Sequence, residues 1–151
     1  MGANTEYELF FDQAEKTLGD WELISLFYKA AIRLIEPRIS NFDPDYFGFF
    51  SLAQEHWNNN RLDDEVVMAC RIASMSLCEI KDQMYVHETP NDAFGRLMWT
   101  FFWTKSHPSN GDRIMGITEV IEPCLETMGF TQNEVLQALR QVLAEMHGSD
   151  I

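Results

Sequence analysis

Apolar residues recur at helical spacing along almost the whole of this chain, and no segment shows the strict alternation of a half-buried strand or a convincing hairpin turn. That periodicity confines the chain to helices that bury a stripe against one another. Start and stop signals divide it into seven pieces. Thr5 with Glu8 forms a capping box for a first helix over residues 5–18, in which Leu9, Phe10 and Gln13 flank an acidic face of Glu8, Asp12 and Glu15, and Gly19 ends it. Asp20 caps a second helix from Trp21 to Glu36, with Leu23, Leu26, Phe27, Ala30, Ala31 and Leu34 in step, before Pro37 ends or kinks it.

Asn41 to Pro44 reads as a turn, and Asp43 or Pro44 opens a third helix through Phe47, Phe50 and Ala53 to Trp57, broken by Asn58, Asn59 and Asn60. A fourth helix runs from Leu62 to Met84, with Val66, Val67, Cys70, Ala73, Leu77, Ile80 and Met84 expected on the core side. Val86 to Pro90 is a connector. Asn91 or Asp92 caps a fifth helix whose Phe94, Leu97, Met98, Trp99, Phe101, Phe102 and Trp103 leave almost no polar face, which places it centrally. A loop with Pro108 and Gly111 precedes a sixth helix, Asp112 to Met128, ended by Gly129. Thr131 with Glu134 then opens the seventh, which ends near Gly148. The expected fold is all-α: a single-domain bundle of about seven helices over residues 1–151.

Charge narrows the partners. The 24 acidic and 11 basic side chains leave a net charge of −13 on 151 residues. The excess spreads over the chain, at −6 for residues 1–60, −2 for 61–110 and −5 for 111–151, so no segment offers nucleic acid a basic patch. Such a surface repels phosphate and anionic lipid and draws basic proteins. With 46% hydrophobic residues the chain nonetheless folds. The acidic first 18 residues do not resemble a signal peptide, and the uncharged run Leu97–Thr104 is far short of the roughly 20 residues of a membrane helix. A soluble cytoplasmic protein is expected.

Chemistry-bearing motifs are scarce. Cys70, Cys78 and Cys124 are odd in number, lie in apolar helical patterns and form no CxxC pair, which suits buried thiols better than a disulfide framework or zinc knuckle. There is no Glu-x-x-His pair for a di-iron bundle, no GxSxG elbow, no P-loop and no GxGxxG, so no metal or cofactor is assigned. Glu55 and His56 are neighbours that leave a helix in different directions, and His87 and His107 fall in connectors, which favours surface or structural roles. Two carboxylate pairs, Glu79 with Asp82 and Glu119 with Glu122, have the spacing to share Mg²⁺. Helical nucleotide pyrophosphohydrolases use such pairs, usually Glu-x-x-Glu before Glu-x-x-Asp; here the order is reversed and no basic cluster meets the phosphates. This Mg-dependent enzyme is the catalytic alternative, and a solvated helix face is the simpler account.

Acidic groups therefore carry the functional expectation. Besides the group on the first helix, they are Asp43 and Asp45 beside Tyr46; Asp63, Asp64 and Glu65; and Asp112, Glu119, Glu122 and Glu126. Asp43, Asp45 and Asp63 to Glu65 fall in first helical turns, where carboxylates stabilise a helix by themselves. The stripe on the sixth helix has no such account, because like charges at i, i+3 and i+4 destabilise.

Ala30, Ala31, Arg33, Leu34 and Pro37, then Trp57 closing a helix, then Ala69 and Ala73 in the next, together resemble the small all-helical immunity proteins of bacterial polymorphic toxin systems. The resemblance covers residues 21–82, and the strongly aromatic fifth helix departs from it. It implies a protein that binds one cognate toxin, often a nuclease, and blocks it. An acidic face, with carboxylates speeding encounter and an aromatic anchor such as Tyr46, suits a basic nuclease surface. A nucleic-acid-mimicking phage inhibitor of host defence would have the same composition, and a secretion chaperone would be expected to mix helices with strands. The aromatic content permits a homodimer without requiring one.

Overall fold

The computed structural model describes residues 5–84, 88–104 and 116–148. Seven α-helices and no strand occur among them: α1 Glu6–Thr17, α2 Asp20–Ile35, α3 Phe47–Asn59, α4 Asp64–Ile80, α5 Pro90–Thr100, α6 Glu122–Thr127 and α7 Gln132–Gly148. Capping chemistry explains most of their starts. Thr5, Asp63 and Thr89 each accept a backbone N–H from three residues on, and Thr131 and Glu134 close a reciprocal box at the start of α7 with bonds of 3.0 and 3.1 Å. Two caps differ from expectation. Gly19, not Asp20, precedes α2, and Asp20 instead lies in the first turn, where its charge meets the helix dipole. Thr89 caps α5 in place of Asn91 or Asp92, because Pro90 suits the first helical position, where a missing N–H costs nothing.

Pro37 ends α2 by turning the chain into a 3₁₀ segment, Glu36–Asn41, and a second one, Pro44–Tyr46, leads into α3. Asn60 and Asp82 adopt left-handed backbone and stop the chain after α3 and α4, so α4 is shorter than the expected Leu62–Met84. Ahead of α6 the chain makes a π turn, Ile117–Ile121, in which the Glu122 N–H reaches back to the Ile117 carbonyl. Pro123 accounts for it. Proline brings no N–H to an α-type bond and crowds the carbonyl four residues before it, and a widened turn relieves both.

One core cluster joins all the helices. α2 runs through its middle, burying Leu23 to Tyr28 without a break and then Ala30, Ala31, Ile32 and Ile35, between α7, α3, α1 and the π turn. α5 packs between α4 and α6 and supplies Phe94, Leu97 and Met98, followed by buried Phe101, Phe102 and Trp103. The aromatic centre expected for the fifth helix is thus present, and it extends past the helix end. Tyr28 stacks on Trp57 at 4.9 Å and Trp57 on Trp21 at 5.1 Å, while Phe42 stacks on Phe94 at 4.9 Å.

Beyond α5 the buried backbone has lost its helical donors, and side chains of α3 supply replacements. The Trp57 indole N–H donates to the Phe101 carbonyl and His56 Nε2 bonds the Trp103 carbonyl, both at 2.7 Å. The Trp103 indole in turn donates to the Tyr28 hydroxyl at 2.7 Å. Nearby, Gly95 lies so close to Tyr46 and Gln83 that a Cβ there would fall 2.8 Å from the Tyr46 hydroxyl. That tight approach ties the start of α3, the turn after α4 and the middle of α5 together.

The buried face of α4 is the expected one only in part: Val67, Cys70 and, past the helix end, Met84 are buried and Leu77 packs against the core as expected. Val67, Cys70, Ser74 and Cys78 face the core, whereas Val66, Ala73 and Ile80 are turned out. Packing on α5 makes the choice: Arg71 lies over Trp99 and Trp103, 5.2 and 4.2 Å from their ring centres, and Ser74 satisfies its hydroxyl on the Cys70 carbonyl at 2.7 Å. Both faces of this helix are rich in small and apolar residues, so periodicity alone does not separate them.

Candidate functional site

The sixth-helix stripe is joined by a helix from the other end of the chain. Tyr7 on α1 donates a hydrogen bond from its hydroxyl to the Glu122 carboxylate on α6. Two clefts open around this contact and share both residues. One, of about 410 Å³, is lined also by Glu126, Phe130, Thr131, Gln132 and Val135; the other, of about 230 Å³, by Glu8, Phe11, Asp12 and Thr118. Glu8 and Asp12 of α1 therefore border the same face as Glu122 and Glu126 of α6. Glu119 lies exposed within the π turn, and Glu15 lies exposed one turn beyond Asp12. Amphipathic periodicity explains the α1 side, since Tyr7 and Ala14 are buried while Glu8, Asp12 and Glu15 remain outside.

Glu122 differs from its neighbours. It is half-buried, and burial pushes its carboxyl above its ordinary value, with the Tyr7 hydrogen bond opposing that rise. Burial, reinforced by Glu122, likewise raises the Tyr7 phenol, so the hydroxyl remains the donor. Glu122 is held in place and partly dehydrated, whereas Glu119 and Glu126 are exposed. One fixed carboxylate above an apolar floor, ringed by solvated ones, suits a cation carried on an alkyl stem.

The other expected site residues lie elsewhere and have other duties. Asp43 and Asp45 both accept from the Lys81 ammonium at 2.8 Å, and that hydrogen bond holds the Asp43 carboxyl below its ordinary value. Their charge is partly neutralised within the molecule. Tyr46 is fully buried and donates to Gln83 Oε1 at 2.6 Å, so it is a core residue and not the exposed anchor expected from sequence. Asp63 caps α4 through the Val66 N–H at 2.9 Å, and Asp64 and Glu65 are exposed in its first turn. Asp112 lies outside the described residues, as do His87 and His107.

The structure places the two carboxylate pairs differently. Glu79 is at the end of α4 while Asp82 lies beyond it in left-handed backbone, and Glu122 is engaged by Tyr7. Among the described residues no group of three or more His, Cys, Asp or Glu side chains is placed to hold a metal ion. All three cysteines are buried and free, and burial pushes the Cys78 thiol up to about 11 and Cys124 up to about 12, which keeps them protonated near neutrality. No helix among the described residues is long and apolar enough to cross a membrane.

Sequence reasoning missed one residue of this face. Tyr7 organises the α1–α6 face, and its only signal was its place beside the Glu8 group. His56, expected in a surface or structural role, is buried beneath a cleft of about 440 Å³ that Trp21, Lys29, Asp64 and Thr104 also line, with Nε2 bonded to the Trp103 carbonyl and, among the described residues, no hydrogen-bond partner for Nδ1. No known protein family, curated protein or solved structure matches this chain.

Proposed function

We propose that this protein binds one basic partner protein and blocks it by occupying its surface, in the manner of an immunity protein against a nuclease toxin. The observation that carries the reading is the meeting of α1 and α6, which sets Glu8 and Asp12 beside Glu122 and Glu126 around clefts floored by Tyr7, Phe11, Phe130 and Val135. A lysine or arginine of the partner enters with its stem on the aromatic floor and its charge on Glu122, which Tyr7 holds in position. The surrounding carboxylates accelerate encounter, because a surface of net charge −13 steers cations over distances comparable with the Debye length. A nuclease is the fitting class of partner, since it must present basic residues to phosphate.

The test is affinity capture from the native host at low and moderate salt, followed by association kinetics with the captured species. The expected result is a single basic protein in a one-to-one complex whose activity is lost on binding. Reversing Glu8, Asp12 and Glu126 to lysine should slow its association at least tenfold at low salt and flatten the salt dependence. Unchanged kinetics in that triple variant would remove this face from the proposal. Recovery of no basic protein by folded material would remove the function itself.

A further inference from the structure

The outward face of α4 carries exposed aliphatic side chains. Val66, Ile72 and Ile80 are 39%, 62% and 81% exposed, with exposed Ala69 and Ala73 between them. At about 1.5 Å per residue this apolar strip is roughly 20 Å long. Both of its ends are acidic. Asp63, Asp64 and Glu65 stand at the start, while Glu79 and Asp82 stand at the finish beside Asp43 and Asp45, which share the one Lys81 ammonium.

Helix energetics account for the first end alone. Carboxylates near a helix N-terminus are stabilising, but Glu79 in the last turn and Asp82 just beyond it oppose the negative end of the dipole. Large aliphatic side chains left in water on the same face add nothing to the fold. A surface with an apolar middle and two negative ends is complementary to an amphipathic helix with an apolar middle and two positive ends. A second copy of this chain does not meet that requirement: laid parallel, Glu65 faces Glu65 and Glu79 faces Glu79, and laid antiparallel, the Asp63–Glu65 end faces Glu79 and Asp82. Either arrangement sets like charges against each other.

We infer that the outer face of α4 is a second docking surface, and that its occupant is an amphipathic helix of a partner protein with Lys or Arg at both ends. The inference is independent of the α1–α6 face. The small side chains of Ala69 and Ala73 admit large aliphatic anchors between Val66 and Ile80, and the terminal cations meet the two acidic ends.

The test uses the full chain and three synthetic peptides of about 18 residues. One carries leucines at i, i+3, i+4 and i+7 repeats with lysines at both ends; the second has the same composition scrambled; the third has glutamates at its ends. Binding is followed by fluorescence anisotropy, with the site mapped by amide chemical shifts. The lysine-ended helix is expected to bind at least tenfold tighter than either control, with shifts centred on Val66, Ile72 and Ile80. The double variant Ile72→Asp, Ile80→Asp, whose changes fall on largely exposed side chains, should keep its helical spectrum and lose that advantage. Equal binding of the three peptides, shifts centred on another face, or retention of affinity in the double variant would overturn the inference. So would a dimer of the protein alone in sedimentation that the double variant dissolves, since a second copy would then be the occupant. If the α4 variant still captures and inhibits the basic protein sought above, the function stands whatever the peptides do.

Discussion

Trp57→Phe isolates one hydrogen bond at the centre of the molecule. Phenylalanine retains a ring between Tyr28 and Trp21, so most of the stacking survives, while the N–H given to the Phe101 carbonyl is lost. An unpaired buried acceptor costs about 1–3 kcal/mol. Phe101 keeps a longer bond from the Trp103 N–H at 3.2 Å, which places the loss in the lower part of that range. The smaller ring adds a cavity worth roughly 1 kcal/mol, for a total of about 2–3 kcal/mol. Urea unfolding followed by circular dichroism at 222 nm should show the midpoint lowered by about 1–2 M with an unchanged slope. A midpoint within a few tenths molar of the parent protein would refute the claim that α3 stabilises the chain after α5 through this bond. A changed slope would show that the variant had altered the compactness of a state instead.

Acid should weaken the same junction through His56. Burial lowers its pKa, and a proton on Nδ1 has no acceptor among the described residues, so below about pH 6.5 the unfolded chain binds more protons than the folded one. Unfolding free energy measured between pH 7 and 5 should fall with pH and flatten in His56→Gln; an unaltered slope in that variant would assign the effect to other groups. Gly95→Ala should lower the thermal midpoint, by about 1–3 kcal/mol equivalent, because the new methyl meets Tyr46 and Gln83. Helix propensity alone predicts a gain of about 1 kcal/mol, so the sign of the shift decides. Asp63→Ala removes the α4 cap and should cost about 1 kcal/mol in urea unfolding, with no loss if the Val66 N–H is equally well served by water.

Local chemistry was the legible part of this fold. Thr5 with Glu8, Thr131 with Glu134, Pro37 and the apolar run after Phe94 each act over a few residues, and each marks its helix in the structure. What was not legible depends on distant pairs. Ser74 and Cys78 are no more apolar than Val66, Ala73 and Ile80, and packing that sets Arg71 over the rings of Trp99 and Trp103 helps turn their side of α4 inward. Tyr46 looks like an exposed aromatic among acids until Gln83, 37 residues away, receives its hydroxyl. For the candidate surface, the α6 carboxylates were visible as an unexplained like-charge stripe, whereas their union with Glu8 and Asp12 depends on a contact between Tyr7 and Glu122 that spans 115 positions.

The π turn before α6 sets the angular phase of that surface. A turn closed from Glu122 back to Ile117 takes in one residue more than an α turn, so the residues within it are rotated about the helix axis relative to those after it. Glu119 lies inside the turn, and Glu122 and Glu126 lie after it. In an unbroken α-helix the three carboxylates would crowd along one line; the offset fans them apart and widens the arc over which a cation is met. Pro123 thereby acts as an azimuthal setting for the charge pattern, and a single-residue deletion between Ile117 and Ile121 would redirect Glu119 while leaving the α6 register intact.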